Sequence, residues 1–183
     1  MTTADLLAIP EDGIERELIQ GRLKEREMTR RNRLHAATEA TIAKLLGIWL
    51  DTNAAPKAAV LPGEVGTILA SAPDTTVGIE AAVFPISMLE DQSSETSLVQ
   101  GAPLLAVEFP SPSDKHEDVH QKIEEYLRCG VSLVWEVDPD FKTLRVHRRD
   151  HEPVMFNREQ ELPGFDALPD FTVSVAELFP SWS

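Results

Sequence analysis

The chain of 183 residues sets 31 acidic side chains against 17 basic ones, a formal charge of −14, with 42% hydrophobic and 26% charged residues. This length and balance suit one domain, residues 1–183, with a sizeable core. The negative field disfavours broad binding to polyanions, although a local basic patch or a bound divalent cation reverses that sign where a substrate docks. The one clearly basic stretch runs from Arg22 to Arg33 and includes Lys24, Arg26, Arg30 and Arg31. Cys129, the single cysteine, excludes an internal disulfide framework and a cysteine-based zinc site, and fits a reducing compartment. No segment approaches the roughly 20 apolar residues of a membrane span, and MTTADLLAIPEDG lacks the regions of a signal peptide. A cytoplasmic protein is expected.

IERELIQGRLKERE alternates around Gly21 and predicts a hairpin, with Leu18 and Leu23 pointing inward. From Asn32 to Leu50 apolar residues recur at helical spacing, and nothing breaks the segment until residues 51–56. Residues 58–70 and 77–86 are rich in Val and Ile and read as strands separated by SAPDT. The polar, Ser-rich stretch 87–103 reads as a loop. A strand at 104–109 precedes a helix expected to start near Pro112, Ser113 and Asp114, with Asp114 and Glu117 spaced as a capping box, and to stop at Gly130. VSLVWEVDP and KTLRVHRR are two further strands turning at Asp138 to Phe141. A proline-punctuated tail ends in a short helix at Val175 to Phe179. The order predicts an α/β (α+β) fold with a central mixed sheet flanked by helices, and one parallel crossover over 104–137.

Two acids interrupt apolar strands: Glu108 in PLLAVEF and Glu80 in VGIEAAVF. A buried carboxylate is costly unless paired, protonated or holding a metal, and a hard divalent cation is the usual partner for two of them. On an ideal helix Val119, Ile123, Tyr126 and Leu127 form one stripe, with Lys122 at its edge. A helix packed back over its own strand would bring Lys122 near Glu108; otherwise Lys122 pairs with Asp118 at i, i+4 on a solvated face. His116 and His120 share a helix face but lack HExxH order, and Cys129 reads as a packed thiol. No GxxxxGK[ST] or GxGxxG segment points to a nucleotide cofactor.

VEFPSPSD with Lys122 and Tyr126, GVSLVWEVDP, RELIQGRL at 16–23, His35, PDTTVGIEAAVF at 73–84 and LPDFTVSVAELF at 168–179 together resemble the Uma2 family of endonucleases. That family lies in the restriction-endonuclease-like PD-(D/E)XK superfamily, and the resemblance covers nearly the whole chain in the family's order. It implies a Mg²⁺- or Mn²⁺-dependent hydrolysis of DNA phosphodiester bonds by a homodimer. Glu108 takes the acidic position, and Lys122 is the lysine moved from the strand to the following helix, leaving Pro110 at its usual place. Where the family has Pro-Asp, this chain has Ile79 and Glu80. The resemblance thus implies Glu80, Glu108 and the Phe109 carbonyl as metal ligands and Lys122 as the catalytic cation. It offers Glu17 and His35 as outer positions, with Glu64 and Tyr126 behind them. From the residues alone these four are an exposed strand carboxylate, a helix-start histidine, a turn residue and a core-edge ring. A catalytically degenerate binding or assembly module is the alternative, and a small phosphate ester in the same site a more remote one.

Overall fold

The β-branched middle of the chain builds a sheet in the computed structural model, which describes residues 1–27, 32–53, 56–91, 96–111 and 114–182. Arg30 and Arg31 of the basic stretch, residues 54–55 and 92–95, and Pro112 and Ser113 lie outside the described residues. In chain order the elements are α1 (Thr3–Leu7), β1 (Ile14–Ile19), β2 (Arg22–Glu27), α2 (Arg33–Thr52), β3 (Ala58–Ala70), β4 (Thr75–Pro85), α3 (Ile86–Glu90) and β5 (Val99–Gln100). There follow β6 (Leu105–Glu108), α4 (His116–Arg128), β7 (Leu133–Asp138), β8 (Thr143–His147), β9 (Val154–Asn157), β10 (Glu161–Pro163), β11 (Thr172–Ser174) and a 3₁₀ turn at Val175–Leu178.

The main sheet runs β2-β1-β4-β6-β7-β8-β9, with β3 beside β4 and β5 parallel to β3. β6 and β7 are parallel and joined by α4, as the crossover over 104–137 requires, and most other pairs are antiparallel, so the sheet is mixed. Helices cover both faces. Ile42, Leu46 and Trp49 of α2 pack with Ala81, Val83, Leu105, Val107 and Trp135. Ile123 and Tyr126 of α4 pack with the alternate residues Ala82, Phe84, Ala106 and Val134. This two-residue alternation, with both faces apolar, is why these strands read as nearly continuous hydrophobic runs.

One strand edge positions the site. β3 covers one edge of β4 throughout, while the other edge is shared: β1 touches it at Leu18↔Thr76 and β6 at Ala81↔Val107 through Val83↔Leu105. Between those contacts the edge at residues 77–80 pairs with neither strand. On the β3 side the register slips between Pro62 and Val65, where Gly63 and Glu64 both have positive φ (93° and 61°) and form a bulge opposite Glu80. Ile79 and Ala82, three apart, both pack on the α4 side, so alternation also slips at Glu80.

The structure departs from the sequence reading in four places. Leu23 is 37% exposed, and Ile19 joins Leu18 inside instead. Gln20 and Gly21, both at positive φ, close a tight two-residue loop that pairs Leu18 with Leu23 on one face as expected, but β2 is the sheet's edge strand and leaves Leu23 uncovered. The expected capping box is not formed. Helix α4 starts at His116 after Lys115, with no side-chain cap, and Asp114 instead accepts the Ser111 N–H at 2.7 Å. The stretch 87–103 is not all loop, since it holds most of α3 and the short strand β5. The tail contains β9, β10 and β11, segments of three or four residues too short to show a period. No helix among the described residues is long and apolar enough to cross a membrane.

Candidate active site

Glu108 ends β6, and α4 folds back over the strand so that Lys122, a turn before Tyr126, arrives above it. Lys122 Nζ lies 3.1 Å from Glu108 Oε2 and 2.9 Å from Glu17 Oε1, and donates to the Gly78 carbonyl at 3.1 Å. These three acceptors match the three donors of an ammonium group. Gly78 supplies both groups of its unpaired strand edge, since its N–H also donates to Glu17 Oε1 at 3.0 Å. The fully buried Tyr126 hydroxyl donates to the second Glu108 oxygen at 2.6 Å. Lys122 therefore faces inward, and Asp118, its alternative partner by sequence, pairs with Lys24 at 2.7 Å.

The charges press on one another. Burial pushes the Glu108 carboxyl up to about 7; Lys122 opposes this, while Glu80 and Glu17 add to it. Burial alone would lower the Lys122 ammonium, but Glu108 and Glu17 outweigh it and hold the group well above its ordinary value. Burial, reinforced by Glu108, also keeps the Tyr126 phenol protonated. Lys122 is thus a permanent cation, and Glu108 stands close to its own titration near neutral pH.

The second half of the site comes from the other face. Asn32 caps α2 by accepting the His35 N–H at 2.9 Å, which fixes His35 in the first turn. Its ring stacks on Phe109 with centroids 4.5 Å apart, and its Nε2 lies 3.0 Å from Glu80 Oε2 and 3.8 Å from Glu39 Oε2. Glu39 in turn accepts the N–H of the bulge residue Gly63 at 3.0 Å. Glu80 is only 5% exposed, so it is a buried carboxylate and does not face water. Glu80 therefore engages His35 while Glu108 engages Lys122, and the slip in β4 is what turns the two neighbouring acids toward different helices.

All eight residues singled out from sequence fall in this region. Glu108, Lys122, Glu17 and Tyr126 form one network, Glu80 and His35 a second, and Phe109 links them by following Glu108 and stacking on His35. Glu64 is no bystander in a turn: its Oε2 lies 2.8 Å from where a Cβ on Gly78 would stand. A cleft of about 990 Å³ exposes His35, Glu64, Glu80 and Phe109, and a smaller one of about 300 Å³ between the hairpin and α4 exposes Glu17, Glu108 and Lys122. Two participants were missed. Glu39 sits at i+4 from His35, which is a readable signal. Gly78 is a lone glycine inside a strand, the usual mark of a close approach by another group.

The model of the Uma2 family, described as "Putative restriction endonuclease", matches residues 3–176. A solved structure titled as a putative nuclease belonging to DUF820 from Anabaena variabilis superposes with a TM-score of 0.77. It is 20% identical and is covered over 97% of each chain, a likeness that speaks for the fold. No curated protein matches.

Proposed function

The chain belongs to the Uma2 family, and on that premise we propose that it hydrolyses DNA phosphodiester bonds with Glu80, Glu108 and Lys122 at the reacting centre. The observation that carries the reading is the meeting of Lys122 and Glu108 at 3.1 Å beside an unpaired strand edge, with Glu80 on the adjoining strand. Lys122 alone faces two glutamates, Glu17 and Glu108, with Glu80 close enough to add to the negative charge at Glu108. Burial first, and then Glu80 and Glu17, drive the Glu108 carboxyl up against Lys122, so the cluster is short of positive charge.

That shortage is the test of whether the residues suit a divalent cation, and they do: the donors are hard carboxylate oxygens, and one more cation would relieve their repulsion. Among the described residues no group of three or more His, Cys, Asp or Glu is preassembled to hold a metal ion. The set we propose is smaller: Glu80, Glu108 and the Phe109 carbonyl. A bound Mg²⁺ or Mn²⁺ would polarise the scissile phosphate and lower the pKa of a coordinated water. The chain's own residues do the rest. Lys122, always charged, is positioned by Glu17 and Gly78 to orient a water or stabilise negative charge on the phosphate oxygens. Tyr126 holds the Glu108 carboxylate at a set angle, and His35 does so for Glu80. Glutamate at position 80 is one methylene longer than the family's aspartate, and the α2-side contact with His35 takes up that length.

One observation favours the degenerate reading instead: all three Lys122 donors and both Glu108 oxygens already have protein partners. Catalysis requires that one of these contacts yield to substrate. Cleavage of single- and double-stranded DNA with Mg²⁺ or Mn²⁺ decides between the readings. Wild type is expected to nick, with Glu108→Ala and Lys122→Ala slower by roughly 10²- to 10³-fold. Equal nicking by all three proteins would place the activity elsewhere. The family's dimer is a separate expectation, checked by light scattering.

A further inference from the structure

The cleft that holds Glu80 and His35 ends on the β7–β8 hairpin, where Phe141 is 81% exposed and lines the cleft wall together with Met155 and Arg145. We propose that Phe141 is a stacking platform for an unpaired nucleobase, so that the site takes single-stranded or locally opened DNA in preference to continuous duplex. This rests on the nuclease reading and adds its substrate class.

Three observations point the same way. First, the backbone that carries the ring is held. Asp138 Oδ1 accepts the N–H groups of both Asp140 and Phe141, each at 3.0 Å, and the strands close behind the loop at Asp138↔Thr143. An exposed aromatic on a fixed rim gives up little backbone entropy when a flat ring covers it.

Second, its place along the sheet suits a base near the reacting centre. Glu136 of β7 is registered beside Glu108 of β6. Two residues further lies Asp138, at the hairpin's base. At a strand spacing of about 4.8 Å and a rise of about 3.3 Å per residue, the hairpin base lies about 8 Å from Glu108. That is the span of two to three stacked nucleotides at about 3.4 Å each.

Third, the cleft's charge disfavours duplex. The two arginines among its described lining residues each already face an acid, Arg26 with Glu15 at 2.8 Å and Arg145 with Glu136 at 3.2 Å. The whole chain carries −14. Duplex DNA presents one phosphate per about 1.7 Å of axis and a single strand half that density. The described lining sets these two arginines against Glu15, Glu64, Glu80, Asp114, Glu136, Asp138 and Asp140, so the cleft repels a single strand less than it repels duplex, and stacking supplies attraction that needs no positive charge. An exposed leucine or valine would offer apolar area; a phenylalanine offers a planar face as well.

The test measures binding of a fluorescein-labelled 20-nucleotide single strand, the same strand carrying a run of abasic sites, and its duplex, in EDTA, by anisotropy. Plasmid and single-strand cleavage are assayed separately with Mg²⁺. Phe141→Ala, Phe141→Leu and Phe141→Trp are compared with wild type, their fold checked by thermal unfolding. The expected result is that Ala and Leu weaken single-strand binding by roughly tenfold or more, that Trp retains it and its fluorescence is quenched on binding, and that abasic substitution abolishes the difference between variants. Equal affinity of wild type and Phe141→Ala for the single strand, tighter binding of duplex than of single strand by wild type, or no binding of either overturns the proposal. So does a change of oligomeric mass in Phe141→Ala with DNA affinity unchanged, which would assign the ring to a contact between copies. Cleavage that survives every Phe141 change leaves the nuclease reading standing without this one. Phe141-dependent binding with no cleavage does the reverse.

Discussion

Two buried glutamates beside the same helix meet opposite fates. Glu125, on α4 and 3% exposed, accepts the Thr75 hydroxyl at 2.6 Å, the Gln20 amide at 2.9 Å and two Arg128 nitrogens at 2.6 and 2.8 Å. Arg128 is the main cause, acting with Thr75 and Gln20 against burial, that its carboxyl falls to about 2. Glu108, 9% exposed, has a lysine and a phenol but also Glu80 and Glu17, and burial carries it up to about 7. Each accepts hydrogen bonds on both carboxylate oxygens. What separates them is first that burial dominates at Glu108 while the Arg128 hydrogen bonds outweigh it at Glu125, and then the local sum of charge. Glu125 fastens the hairpin turn, β4 and α4 together with donors in surplus, whereas Glu108 sits where donors are fewer than acids. The first arrangement stabilises a fold, and the second leaves negative charge that the protein's own donors do not offset.

The largest expected effect comes from removing the cation that the site does have. Lys122→Met should cost about 3 kcal/mol in urea unfolding, because Glu17 and Glu108 lose their only shared ammonium inside the protein. A loss below about 1 kcal/mol would mean that water, not Lys122, neutralises the cluster. Next comes the paired substitution. Glu125→Gln keeps the shape but drops the charge that Arg128 binds, and should cost about 2 kcal/mol at pH 7. Glu108→Gln should instead raise stability by about 2 kcal/mol at pH 7, since the unfolded chain ionises this carboxyl freely there while burial resists its ionisation in the folded protein. Equal losses would erase the distinction.

pH profiles sharpen it further. Glu125 is depressed in the folded state, so its contribution is present above its ordinary value of 4.5 and is lost as pH falls toward 2. Glu108 is raised, so its protonated form favours folding below 4.5, and that stability is lost as pH rises through 7. Stability of wild type relative to Glu125→Gln should fall with acid below pH 4.5. Relative to Glu108→Gln it should fall with base between pH 4.5 and 7, each by about 2 kcal/mol. Parallel profiles would show that the two carboxyls share one environment.

How much of this is legible in the chain depends on the range of the forces involved. The long helix, the β3–β4 pair and the crossover were readable because each carries its own period, and Glu108 stood out because it breaks one. Lys122 was readable as a stripe-edge residue, which a single helix turn determines. The exposure of Leu23 and the missing capping box were not, because an edge-strand position and a competing bond from Ser111 lie outside what the local pattern carries. The gap on the β4 edge was least legible. It arises only when β1 and β6 come to share one side of a strand, a relation between segments about 85 residues apart. The sequence therefore named the acids, while the topology decided that Gly78 would lend them its backbone.

The smallest effect concerns the other lysine that reaches α4. Lys24 Nζ lies 2.7 Å from Asp118 Oδ1, a shorter contact than any made by Lys122, yet the two side chains are 40% and 49% exposed. Water screens both ions, and fixing two long side chains offsets most of what their attraction gains, so Lys24→Ala should cost under about 0.5 kcal/mol. Lys122 has longer contacts and a far larger expected loss, because its acids cannot turn to solvent when it is removed. Burial rather than distance is then what ranks the ion pairs of this helix. A Lys24→Ala protein that unfolded as early in urea as Lys122→Met would reverse that ranking, and with it the reason for separating a pinned hairpin from a working site.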